Sequence, residues 1–177
     1  MRIGFSRSTA ARLAENGAFL VIALALSYIE AIVPLGAAVP IPGAKPGLAN
    51  LAVLCAAYRR GIADAAVISI SRVLISAFLF GSVSSLAFSL SGALCSLVIL
   101  GLMRPLWGRA WSAVGISVAC AAAHNSGQLF CAVLWMHESA LLAYLPVLWI
   151  MAIIFGTVVG AAANILCARL PAAGGSI

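Results

Sequence analysis

Arg72 is the residue whose chemistry most needs explaining. It lies in the middle of residues 62–80, a stretch that beyond Asp64 is apolar or small and is long enough to cross a bilayer. A guanidinium cannot shed its charge, and holding one at bilayer depth costs about 2.5 kcal/mol or more. Such a group faces the interior of a helix bundle and is paired. Ser69 and Ser76 stand at i−3 and i+4 on its helical face. Glu30 is the obvious anionic partner, because Glu15 and Asp64 fall nearer the basic ends of their segments. Two roles stay open: a Glu30–Arg72 pair that ties two helices together, or an Arg72 that also faces the anionic group of a ligand.

Lys45 strengthens the second role. It directly precedes Pro46-Gly47, where a second helix is expected to begin, and proline suits a first helical position. A helix N-terminus with free N–H groups attracts anions, and a lysine beside it adds a point charge. Lys45 is equally accounted for as a side chain that snorkels to the outer interface. Asn50 falls in the first turn of the same helix. His124, Asn125 and Gln128 cluster further along, with His124 and Gln128 on one face at i, i+4. So many hydrogen-bonding groups within two turns of an apolar helix need partners. Other core side chains would serve, and so would a ligand with polar edges. Asn164 is a weaker candidate on the last segment.

Catalytic chemistry finds little to work with. The chain has no nucleophile elbow, glycine-rich phosphate loop or paired carboxylates, and Asp64 is its one aspartate. A prenyl diphosphate synthase needs several aspartates to hold its magnesium ions, and one cannot do this. The five cysteines, Cys55, Cys95, Cys120, Cys131 and Cys167, lack paired metal-ligand spacing and read as small buried hydrophobes. No metal or cofactor is expected.

The supporting frame follows from composition. Of 177 residues, 64% are hydrophobic and 8% charged, against roughly 25% charged in a soluble domain. Lipid must therefore be the solvent. The net charge of +6 does not indicate nucleic acid, because the basic residues punctuate the apolar segments instead of sharing a wet face. An all-α, polytopic bundle of six transmembrane helices is expected, with spans near 17–35, 46–58, 61–80, 83–103, 111–136 and 141–168. Residues 1–16 and 170–177 would be cytoplasmic segments flanking a single transmembrane domain, 17–169. The first apolar run, preceded by Arg2, Arg7 and Arg12, is read as an uncleaved span and not a signal peptide. With both termini inside, Arg2, Arg7, Arg12, Arg59, Arg60, Arg104, Arg109 and Arg169 fall on the cytoplasmic side and only Lys45 outside, a strong positive-inside bias. The expected location is a cytoplasmic membrane crossed several times, with mitochondrial targeting by the basic N-terminus as the weaker alternative. The segment 35–45 is apolar but broken by proline, so it either dips inward to cap a pocket or lies as a loop at the interface.

Small residues at helical spacing mark close approaches: Ser85, Ser89, Gly92 and Ser96 on the fourth span, Gly156 and Gly160 on the sixth. Both are read as packing seams within the bundle. Ala14 and Ala18 begin before the membrane and are left open as a partner interface.

The run Pro42-Gly43-Ala44-Lys45-Pro46-Gly47-Leu48-Ala49-Asn50, the segment from Arg72 to Gly81, and Ala123-His124-Asn125-Ser126-Gly127-Gln128 resemble the small bacterial membrane family known as Gx transporters, or heptaprenyl diphosphate synthase component I. The resemblance covers nearly the whole chain; Pro46 stands where an apolar residue is expected. One name implies a subunit of a prenyl-chain-elongating enzyme in menaquinone side-chain synthesis. The chain is also similar to the substrate-binding membrane (S) subunits of energy-coupling factor transporters. That likeness implies six helices, cytoplasmic termini, an outer-face pocket capped by the loop between the first two helices, and a coupling subunit with ATPases met through small residues on the first helix, here Ala14 and Ala18.

The expected function is non-enzymatic: binding a small ligand in the membrane and helping to move it across. Arg72 and Lys45 would meet an anionic group, Glu30 would balance Arg72, and Asn50, His124, Asn125, Gln128 and Asn164 would orient polar edges. The alternatives are a non-catalytic membrane subunit serving a soluble polyprenyl diphosphate synthase, and a structural subunit of an extracytoplasmic flavin or quinone electron-transfer assembly.

Overall fold

The computed structural model describes residues 7–32 and 47–169. They form helices α1 (Arg7–Ile32), α2 (Asn50–Arg59), α3 (Ile62–Phe80), α4 (Val83–Met103), α5 (Ala113–Met136) and α6 (Leu145–Arg169), with 3-10 turns at Arg104–Leu106 and Ser139–Tyr144. The boundaries have local causes. Ser82 and Ser112 adopt extended backbone and their hydroxyls accept the N–H of Ser85 and Gly115, capping α4 and α5. α5 ends where His137 turns left-handed at φ 53°.

The helices close into a ring. α1 packs on α3, α3 on α4, α4 on α5 and α5 on α6, and α6 meets α2, which also touches α1 and α3. Cross-helix contacts fix the directions. Arg12 and Asn16 reach Asp64 while Ser27 meets Arg72, so α1 and α3 run parallel. Asn125 meets Leu148 while Val114 faces Gly160, so α5 and α6 are antiparallel. The start of α1 and the end of α2 share one end of the bundle, through Glu15 with Arg59 and Arg60. Cys167, near the end of α6, lies 3.9 Å from Cys55 of α2.

α2 closes this ring between α6 and α1 and is its most buried stretch. Its residues Ala52, Val53, Leu54, Cys55, Ala56 and Ala57 are all buried in succession. A helix apolar on every side belongs inside, and here Ile68, Leu100, Ile116, Val159 and Ala163 join α2 in one core. At ten residues it spans about 15 Å, half a bilayer.

The outside is apolar too. Phe78, Val83, Leu102, Val158 and Ile165 are all exposed, a belt that suits lipid and not water. Four helices, α1, α3, α4 and α6, are long and apolar enough to cross a membrane. α5 matches them in length but carries the polar run from His124 to Gln128. The GxxxG of α6 is a seam with α5: a Cβ on Gly160 would stand 2.5 Å from Val114 Cα, and one on Gly156 2.8 Å from Val118 Cα. Gly92 of α4 likewise lies against α5. Both seams are the intrabundle packing that the spacing predicts.

Candidate functional site

Arg72 projects from the middle of α3 into the junction of α1, α2 and α3. The residue is 9% exposed. Nη1 donates to Ser27 Oγ of α1 at 3.2 Å, and Ser27 is itself buried. Nε is buried with no hydrogen-bond partner among the described residues. Ser76 Oγ, one turn further along α3, is buried and unpartnered in the same way.

Glu30 supplies the counter-charge that the sequence leads one to expect, but by an indirect route. Its carboxylate acts on Arg72 electrostatically, while Oε1 accepts the backbone N–H of Leu48. The chain turns there through Gly47 at φ +78°, a conformation that glycine adopts without strain. Leu48 lies two residues before the first residue of α2, next to the N-cap Ala49, at the positive end of that helix dipole. So the anion site expected at the start of α2 is engaged by the protein's own carboxylate. α2 itself begins at Asn50, later than the Pro46 start expected from sequence. Asn50 is half-buried, with its amide against Gly47. Lys45 lies outside the described residues.

The polar run on α5 divides between two neighbours. His124 and Gln128 pack on Gly92 of α4: a Cβ there would stand 3.1 Å from His124 Cδ2 and 2.7 Å from Gln128 Cγ. Asn125 is buried and donates Nδ2 to the carbonyl of Leu148 on α6 at 3.0 Å. Ser126 donates to the Ala122 carbonyl and accepts from Trp149 Nε1. None of these contacts reaches Arg72. Asn164 is exposed on α6 and has no hydrogen bond to Arg72 or Glu30 among the described residues, so it stands apart from them. Ala14 and Ala18 are exposed on α1, with open space over Gly17 between them.

A second polar layer closes the basic end of the bundle. Arg12 Nη2 donates to Asp64 at 2.8 Å and Asn16 Nδ2 at 2.9 Å. Glu15 binds Arg59 and Arg60, and Arg104 Nε donates to the Ala57 carbonyl at 2.8 Å, capping the end of α2. The single aspartate is thus engaged in holding α1 to α3.

Sequence reasoning missed Ser27, although a serine three residues before Glu30 on an apolar helix was a usable signal. It also missed the Leu48 N–H, a backbone group that no residue type announces.

The family model described as heptaprenyl diphosphate synthase component I matches residues 19–166. The chain belongs to this family. The component I match runs from within α1 to near the end of α6, and so includes Ser27, Glu30, Arg72 and the α5 polar run but not Ala14 or Ala18. Comparison with curated proteins and with solved structures gives no match. In this component I protein an apolar groove of about 580 Å³ also opens between α3 and α4, lined by Leu74, Ile75, Phe78, Leu79, Val83 and Leu86.

Proposed function

We propose that this protein is a membrane-embedded, non-catalytic binding subunit for a small molecule that carries an anionic group. The observation that carries this reading is the guanidinium of Arg72, held inside the bundle with Nε lacking a partner among the described residues while Glu30 is engaged at the start of α2. A cation kept at that depth is costly, and an incoming anion would offset the cost. Asn50 is a further candidate contact at the start of α2, Lys45 would add a positive charge, and His124 and Gln128, set against α4, would meet only a part of the ligand away from Arg72. We take the bundle to cross the membrane six times with both termini in the cytoplasm, as the gathering of Arg12, Arg59, Arg60, Arg104 and Arg169 toward one end supports. Transport of the ligand, in the manner of an energy-coupling factor S subunit, would draw its energy from partner subunits, for which the open Ala14–Ala18 face of α1 is the candidate contact.

Native mass spectrometry of the full chain released from nanodiscs tests this reading. The wild type should carry a co-purified small molecule, and Arg72→Ala should not. Retention of the same adduct by Arg72→Ala would reduce Arg72 to a structural cation.

The family match favours a second reading, a membrane subunit that supports a heptaprenyl diphosphate synthase. A prenyl diphosphate joins an anionic head to an apolar tail, so it meets the same chemical requirement. Co-purification with an aspartate-rich prenyl synthase, and loss of that enzyme's activity when this chain is withdrawn, would select it over transport.

A further inference from the structure

We infer that the ligand's anionic group is held jointly by Nε of Arg72 and the hydroxyl of Ser76, with Ser27 as the positioning residue that presents the Nε edge of the guanidinium. This rests on the reading of Arg72 given above and adds the second donor and the shape of the group bound.

Two buried polar atoms on one face of α3 lack partners among the described residues: Arg72 Nε and Ser76 Oγ. Residues four apart on a helix stack one above the other, here about 6 Å apart along the axis. Buried donors without acceptors are rare in native proteins, and two in adjacent turns indicate one absent partner. Both atoms can donate, so that partner is an acceptor. A group with two oxygens can reach both across that spacing, and the buried guanidinium favours a negative one, a carboxylate or a phosphate. Arginine binds such groups through the edge of its planar fork. Ser27 takes the Nη1 end of that fork at 3.2 Å and is itself only 4% exposed. The Nε edge is left buried. Glu30, the carboxylate acting on this arginine, has Oε1 engaged with the N–H of Leu48, and Nε has no acceptor among the described residues.

The test uses single-chain amphiphiles that partition into the bilayer and so reach a buried recess: decyl phosphate and decanoate, with decanol as the uncharged control. Binding to the full chain in nanodiscs is titrated by native mass spectrometry. At least one anion should bind saturably and decanol should not, and the tighter of the two anions identifies the group as phosphate or carboxylate. Ser76→Ala should weaken that binding about tenfold or more, the loss of one hydrogen bond to a charged group. Ser76→Thr, which keeps the hydroxyl, should restore it. Ser27→Ala should also weaken binding, and Ser27→Thr should rescue it. Ser76→Ala should unfold at the wild-type temperature without ligand, which separates a binding role from a structural one. Binding that depends on Arg72 but is indifferent to Ser76→Ala overturns this inference and leaves the anion reading standing. Absence of saturable binding of either anion, or binding unaffected by Arg72→Ala, overturns both.

Discussion

Arg72 on α3 donates Nη1 to Ser27 on α1 at 3.2 Å, so the most expensive charge in the bundle is anchored by a hydroxyl and balanced by a carboxylate that is itself engaged elsewhere. A neutral anchor fixes the guanidinium's orientation without using up its charge. That distinguishes it from a closed ion pair, in which both charges are spent on each other.

Ser27→Ala removes the anchor. A hydrogen bond to a charged group contributes about 1.5–3 kcal/mol, and the loss should appear as a lowered unfolding midpoint in detergent micelles. A variant as stable as the wild type would mean that the contact orients Arg72 without stabilising the fold.

Glu30 has two jobs that substitution can separate. Glu30→Gln keeps an acceptor for the Leu48 N–H and removes the charge, whereas Glu30→Ala removes both. Glu30→Ala should be the less stable of the two by about 1–3 kcal/mol, the cost of leaving a buried donor without a partner. Equal stabilities would show that the bond at the start of α2 contributes nothing.

Asn125 holds α5 to α6 through the Leu148 carbonyl. Asn125→Ala should lower stability by about 0.5–1.5 kcal/mol and leave ligand retention unchanged, measured by thermal unfolding and native mass spectrometry on the same sample. Loss of the ligand at unchanged stability would return Asn125 to the site.

Gly160 and Gly17 make opposite predictions for the same substitution. A methyl group at Gly160 would meet the backbone of Val114 at 2.5 Å, and such overpacking costs about 1–3 kcal/mol. Nothing lies within 4 Å of a Cβ at Gly17, so Gly17→Ala should gain about 0.5–1 kcal/mol of helix stability. A stable Gly160→Ala protein would contradict the α5–α6 seam.

The orientation is open to labelling. In a cysteine-free background, Ala110→Cys, beside the basic end, should react with an impermeant maleimide only from the cytoplasmic side. Ser139→Cys, in the opposite turn, should react only from outside. Both positions are exposed. The reverse pattern would invert the topology.

Sequence by itself determined the class of this protein. With 64% hydrophobic residues and so few charges, no soluble packing was available. The segment limits of α3, α4 and α5 follow closely from where the apolar runs stop. The small-residue spacings of α4 and α6 likewise announced their seams, because close helix approach depends on side-chain size at i, i+4. The singular cost of Arg72 was legible for the same reason: it depends on the residue type and the depth of its segment. Tertiary structure alone decided how the polar groups were shared out. Hydrogen bonds need distances of about 3 Å, and a linear pattern fixes only which face of its own helix a residue occupies. Hence Glu30 could be named as the counter-charge, but its bond to the Leu48 N–H could not. Neither could the division of the α5 run, with His124 and Gln128 against α4 and Asn125 and Ser126 against α6. The burial of α2 between α1, α3 and α6 also rests on the other helices, since an apolar decamer is compatible with many neighbours until those helices pack around it.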